Sequence, residues 1–120
     1  MNNVASYAQN EIAGMDELSM EIRALIKSSA ALNQIKENWE EQRQDLALAL
    51  ERNRRLWTFL ASAMMEETCP HTHDVKQNII NLANFIFKRT NEVLSSPEPD
   101  KLDILIKINM QIANGLSGKA

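Results

Sequence analysis

Every cysteine and histidine of the chain lies in one pentapeptide, Cys69-Pro70-His71-Thr72-His73. One thiol and two imidazoles are soft-metal ligands, and zinc is the ion they would suit. A structural zinc site needs a fourth ligand, and a catalytic one needs an open position with second-shell support. No other Cys or His exists to complete the set. A thiol beside a histidine is also the raw material of a nucleophilic pair. Residues this close in sequence rarely orient as nucleophile and base, however, and no Gly-rich oxyanion loop accompanies them. The segment reads as a turn before a helix. The acidic residues Glu40, Glu41, Glu51, Glu66 and Glu67 fall on helix surfaces, where they serve as solvated charges and helix-pair partners. There is no phosphate loop, dinucleotide motif or paired-carboxylate signature. The expected catalytic, cofactor and metal sets are therefore empty, and an enzyme has no residue to rest on.

Chemistry other than catalysis is visible in the run Asn53-Arg54-Arg55-Leu56-Trp57-Thr58. Steps of three and four residues connect Trp39, Arg43, Leu46, Leu50, Asn53, Trp57, Leu60 and Met64, the period of a helix that buries one face. An Asn on such a stripe costs stability unless it is hydrogen-bonded, and it tends to fix register or partner choice. Asn109 occupies the equivalent place on the last helix. Asn53, Trp57 and Asn109 are thus candidate structural, register-setting residues. The alternative is that each Asn sits at a seam edge and bonds local backbone or water.

The opposite side of the same helix is not a plain solvent face. Leu48, Arg52, Arg55, Phe59 and Ser62 lie roughly opposite Trp57. Two Arg beside an aromatic and an aliphatic residue have the composition of an interface. With Ile80 and Phe87 of the following helix as a second wall, Leu48, Arg52, Arg55 and Phe59 form the candidate partner-binding surface. Internal burial under another helix is the competing reading.

These residues require long helices to position them. Three Gly and three Pro leave room for few turns. Ala, Leu, Ile, Asn and Glu are plentiful and Val is scarce, which favours helix over sheet. Residues 1–15 read as a loose N-terminal arm closed by Gly14. Residues 16–120 read as a single helical-bundle domain. Asp16 would cap a first helix whose stripe is Leu18, Ile22, Leu25, Ser29 and Leu32, and Ala24, Ser28 and Ala31 would permit close helix approach. A break is expected between Ala30 and Asn38, with a kinked continuous helix as the alternative. The second helix is expected over about 38–67, ending before Cys69-Pro70. Thr72 would cap the third, with Asp74 in its first turn. That helix carries Val75, Ile79, Leu82, Ile86 and Val93 on one line. Ile80, Phe87 and Leu94 form a second line roughly 120° around. Ser95 to Asp100 is a turn. A fourth helix follows with Leu102, Leu105, Ile108, Asn109, Ile112 and Leu116, and Gly115 is placed as its left-handed cap. The expected fold is an all-α antiparallel bundle of about four helices, near 16–34, 38–67, 72–94 and 100–115.

A chain of 120 residues is one domain and hides roughly two-thirds of its unfolded surface, enough for a core without staples. Its net charge of −3 argues against non-specific nucleic-acid binding, which needs a basic face. A lone Cys69 fits a reducing compartment. The N-terminus lacks the basic and apolar regions of a secretory signal. No apolar run approaches the ~20 residues that span a bilayer. The expectation is a soluble, cytoplasmic protein with no membrane insertion.

Three stretches together resemble the FlaF family of flagellar biosynthesis regulators from alphaproteobacteria. They are Asn53-Arg54-Arg55-Leu56-Trp57-Thr58-Phe59-Leu60, the helix from Val75 to Ile86, and Leu102 to Asn109 continuing through Gly115-Leu116. An early Tyr7 also fits. The first stretch is fairly specific; the other two are amphipathic helices that gain weight from their order. The family usually has Leu-Pro where Cys69-Pro70 stands, and often Trp where Phe85 stands. The resemblance implies a small cytoplasmic protein needed for flagellin production and export. It implies a flagellin-binding secretion chaperone that acts with or against an FlbT-type translational regulator. The alternative it leaves open is a post-transcriptional regulator that contacts flagellin mRNA or the FlbT-type protein directly. Arg43, Arg52, Arg54 and Arg55 keep RNA in consideration against the acidic balance. Flagellin ends expose apolar stripes before assembly, and a helical bundle with an apolar groove and Met-rich patches such as Met64-Met65 suits them.

Overall fold

Apolar stripes at helical spacing dictate helices that must bury one side each, and the chain folds as helices that do so. A computed structural model describes residues 3–118, with side chains described over 19–118. Helix α1 spans Asn3–Glu37. A short helix α2, Trp39–Gln42, and a 3-10 turn, Arg43–Asp45, lead into α3, Leu46–Met65. Helix α4 spans His73–Ser95; a 3-10 turn over Pro99–Leu102 then leads into α5, Asp103–Leu116. No strand occurs among the described residues. The short links reverse the chain each time, giving an all-α antiparallel bundle with long axis 59 Å.

The expected boundaries shift in informative ways. The first helix extends N-terminally to Asn3 instead of starting at residue 16, through Gly14 and the segment read as an arm. It also runs without interruption through residues 30–37, because no Gly or Pro opposes it. The break falls at Asn38, whose backbone leaves helical geometry at φ −122, ψ 47. The Asn38 side-chain amide donates to the Gln34 carbonyl at 3.0 Å, beside the Asn38 backbone N–H, which donates to the same oxygen at 3.0 Å and closes the last turn of α1. The single second helix expected over 38–67 is three pieces, since the chain must turn before α3. Thr72 caps α4 as expected, its Oγ1 accepting from the Val75 amide at 3.3 Å, with Asp74 in the first turn. Gly115 is not the left-handed cap. It lies inside α5, and Gly118 adopts the positive φ of 78° just past the helix end.

Helix α1 packs most extensively against α5, and α3 against α4; α1 also borders α3. Lys36 in the last turn of α1 meets Asp103 in the first turn of α5 at 2.6 Å. Each charge sits at the helix end whose dipole favours it. The core holds Leu25, Leu32 and Ile35 of α1, Leu50, Trp57 and Leu60 of α3, Ile79, Ile86 and Val93 of α4, and Leu105 and Ile108 of α5. Val75, expected on the inward line of α4, is 40% exposed because the helix has barely entered the bundle there. Leu18 lies outside the residues whose side chains are described.

Candidate functional site

Helix α3 is the central element, with one face in the core and another at the surface. On the inner face Asn53, Trp57 and, from α5, Asn109 are all fully buried. They form one hydrogen-bonded chain. The Trp57 indole N–H donates to Asn109 Oδ1 at 2.8 Å. The Asn109 amide donates to Asn53 Oδ1 at 2.7 Å. Ser28 Oγ of α1 donates to the same Asn53 oxygen at 2.8 Å. Three helices are thereby tied through a polar chain that is fully buried at Asn53, Trp57 and Asn109 and half-buried at Ser28. Asn53 Nδ2 and, on α1, Ser29 Oγ are left without a hydrogen-bond partner. Each such orphan carries a desolvation cost of about 1–3 kcal/mol. The three bonds that are made favour this register, since a slip of any one helix would orphan further buried polar groups.

The outer face of α3 exposes Leu48 (56%) and Phe59 (60%) together with Arg52 and Arg55. Arg55 is committed to its own helix: its Nε donates to Glu51 at 3.2 Å, beside two bonds from Arg54 at 2.9 and 2.6 Å. The Arg54 hydrogen bonds first, and those of Arg55 second, hold the Glu51 carboxyl down at about 2 from its ordinary 4.5. Arg52 and Lys27 form no ion pair among the described residues.

Leu48 and Arg52 line an open groove of about 670 Å³ between α1 and α3. Small or half-buried side chains, Ala24, Ser28 and Ala31 of α1 and Ala49 and Leu56 of α3, form its floor and sides; Lys27 and Gln34 stand on the α1 rim. Ser28 thus belongs both to this groove and to the buried polar chain.

The six residues singled out as a partner surface are therefore divided. Leu48 and Arg52 share the groove, and Phe59 continues their face two turns further along α3. Arg55 projects outward, 77% exposed at its side chain. Ile80 and Phe87 belong to α4, are half-buried, pack against the core and line no part of the groove. Sequence reasoning missed the α1 wall. Its signal is the small-residue line Ala24, Ser28 and Ala31, whose spacing permits close helix approach and which here lines an opening.

In the pentapeptide, the half-buried Cys69 donates from Sγ to Met64 Sδ at 3.9 Å and packs against the core. No group of three His, Cys, Asp or Glu residues gathers in metal-binding geometry among the described residues. No described helix is long and apolar enough to cross a membrane. Two guanidinium groups stack on rings, Arg43 over Trp39 at 5.7 Å and Arg89 over Phe85 at 5.6 Å.

The sequence model of a family described as flagellar protein FlaF matches residues 3–116. No curated protein and no solved structure matches the chain.

Proposed function

We infer the function from one premise: the chain belongs to the FlaF family of flagellar proteins. Within that family setting the protein binds flagellin in the cytoplasm as a secretion chaperone, and so promotes flagellin production and export. It acts by binding, without catalysis or cofactor. An FlbT-type translational regulator is its second partner, and the balance between the two sets flagellin output.

The observation that carries this reading is the outer face of α3. A folded bundle with an ample core has no structural use for Phe59 and Leu48 more than half exposed beside an unpaired Arg52. Scattered surface leucines need no explanation, but an aromatic, an aliphatic and a free guanidinium on one helix face bordering a groove are the parts of an interface. An unassembled flagellin terminus, amphipathic and unpartnered, presents the complementary stripe.

The test mixes the purified protein with monomeric flagellin and measures complex mass by light scattering after size exclusion. A stable complex is expected, and Phe59→Asp should abolish it while leaving helical content and melting temperature nearly unchanged. No complex with flagellin, together with salt-sensitive binding to its mRNA or tight binding to the FlbT-type protein alone, would replace the chaperone reading with the post-transcriptional one.

A further inference from the structure

We propose that the α1–α3 groove takes a single amphipathic helix of the partner protein, whose carboxylates meet Lys27 on one rim and Arg52 on the other. The proposal rests on the chaperone reading for the partner's identity, but not for the groove's chemistry.

The shape argues for a helix. The lining residues recur at helical spacing on both walls: Ala24, Ser28 and Ala31 on α1, and Leu48, Arg52 and Leu56 on α3. From Ala24 to Ile35 the α1 wall runs roughly 16 Å at 1.5 Å per residue, about three turns of an occupant helix. The floor is built of alanines and a serine, so an incoming backbone can approach closely, as a third helix does over two neighbours. The apolar walls, Leu56 half-buried and Leu48 exposed, supply area for a narrow apolar stripe rather than a deep anchor pocket.

The charge argues for which helix. The chain is acidic overall, with net charge −3. Lys36 is paired with Asp103, Arg54 and Arg55 with Glu51, Arg89 with Glu92 and Lys101 with Glu98; Arg23, Lys88 and Lys107 form no ion pair among the described residues, but none of them lines the groove. Lys27 and Arg52 are exposed and unpaired and line opposite walls of one groove, whose single lining carboxylate, Asp45, precedes α3, so the lining carries a net positive charge. An occupant with Glu or Asp flanking its apolar stripe gains from both rims, whereas a lysine-flanked helix is repelled. A second copy of this chain's α3 would bring Arg52, Arg54 and Arg55 against those same cations, so self-association through this face is disfavoured.

The experiment uses two probes. One is a pair of synthetic amphipathic peptides of equal length and apolar stripe, flanked by glutamates or by lysines. The other is monomeric flagellin. The glutamate-flanked peptide should bind and the lysine-flanked one should not. Lys27→Glu with Arg52→Glu should weaken glutamate-peptide binding by about tenfold or more and reduce its dependence on salt. Ala31→Trp, which fills the groove from an exposed position, should block both probes. Lys107→Glu, a single charge reversal of the same kind on α5 away from the groove, should leave binding as it was. All variants should melt near wild type, because none of the altered side chains is buried. Equal binding of the two peptides, or undiminished binding of both probes to Ala31→Trp, overturns the groove. Binding of the acidic peptide in the groove without any binding of flagellin leaves the groove standing and overturns the chaperone reading.

Discussion

The hydrogen bond from Trp57 to Asn109 gives the sharpest test of how the bundle is held in register. Trp57→Phe removes the donor and leaves Asn109 Oδ1 without its indole partner in a fully buried site. Asn109→Leu, matched in branching and heavy-atom count though bulkier, removes the acceptor and leaves the indole N–H unpaired; it also releases Asn53 Oδ1 to Ser28 alone. An orphaned buried polar group costs about 1–3 kcal/mol. The Phe substitution adds a packing loss of similar size, because a smaller ring leaves unfilled space. In the double variant neither polar partner remains to be orphaned, so the double should be more stable than the sum of the singles by about 1–3 kcal/mol. Urea unfolding followed by circular dichroism measures all three variants. Trp39 remains as a fluorescent reporter where Trp57 is gone. At about 2–8 °C per kcal/mol for domains bracketing this size, the coupling is also visible in melting temperature. Additivity within about 0.5 kcal/mol would refute the network as an energetic unit. An increase in stability for Asn109→Leu alone would refute it more directly, since it would mean that the amide was only an obstacle in an apolar core.

Other expectations follow from the same geometry. Trp57→Ala should destabilise by about 3–5 kcal/mol, because the side chain is fully buried; a near-native melting curve would count against its place in the core. Glu51 titrates lower in the folded chain than unfolded, so its contribution is full above about 4.5 and is lost as pH falls through about 2; Glu51→Gln should flatten the acid limb of stability in that window, and an unchanged limb would deny the triple hydrogen bond. Lys36 is raised above 10.5, chiefly by its hydrogen bond to Asp103. That contribution is complete below the unfolded value and fades as pH climbs through the folded one, so Asp103→Asn should blunt the alkaline limb only. Cys69→Ser with His71→Ala and His73→Ala should leave folding and binding intact, and stoichiometric zinc in purified wild type would overturn this.

Apolar periodicity is a local property, and what depends on it was legible in the sequence. The α3 stripe from Leu46 through Met64 is buried residue for residue, and the capping role of Thr72 follows from one side chain and its own helix. Boundaries were less legible because nothing local enforces them. Ala30 to Glu37 continues as helix since no residue there breaks it, whereas the helix ends at Asn38, whose backbone leaves helical geometry while its main-chain and side-chain amides both bond back to the Gln34 carbonyl. Arg43 was counted on the buried stripe, but the 3-10 turn after Gln42 rotates it out to stack on Trp39. Which faces meet is a property of the assembled bundle, and it was not legible. Asn53 and Asn109 each announced a need for a partner, yet no spacing within either helix says that the partner is the other. The same holds for the groove, which exists only because α1 and α3 meet with alanines on one side and Leu48 and Arg52 on the other.

The joint role of Ser28 connects the two halves of the molecule physically. Its hydroxyl ends the buried chain Trp57–Asn109–Asn53 and also lines the groove. A protein that must hold an apolar groove open in water cannot rely on apolar contact alone to space its walls, because apolar contact is non-directional and favours closing the gap. Directional bonds do not have that freedom. The 2.8 Å bond from Ser28 to Asn53 sets the separation of α1 and α3 at the groove floor, and the indole and the second Asn fix Asn53 in turn. Ser28→Ala should therefore leave the fold intact but let the walls drift, and its signature is selective: weaker peptide binding with little change in melting temperature. A loss of stability as large as that of Asn109→Leu, with binding per folded molecule unchanged, would instead place Ser28 wholly with the core.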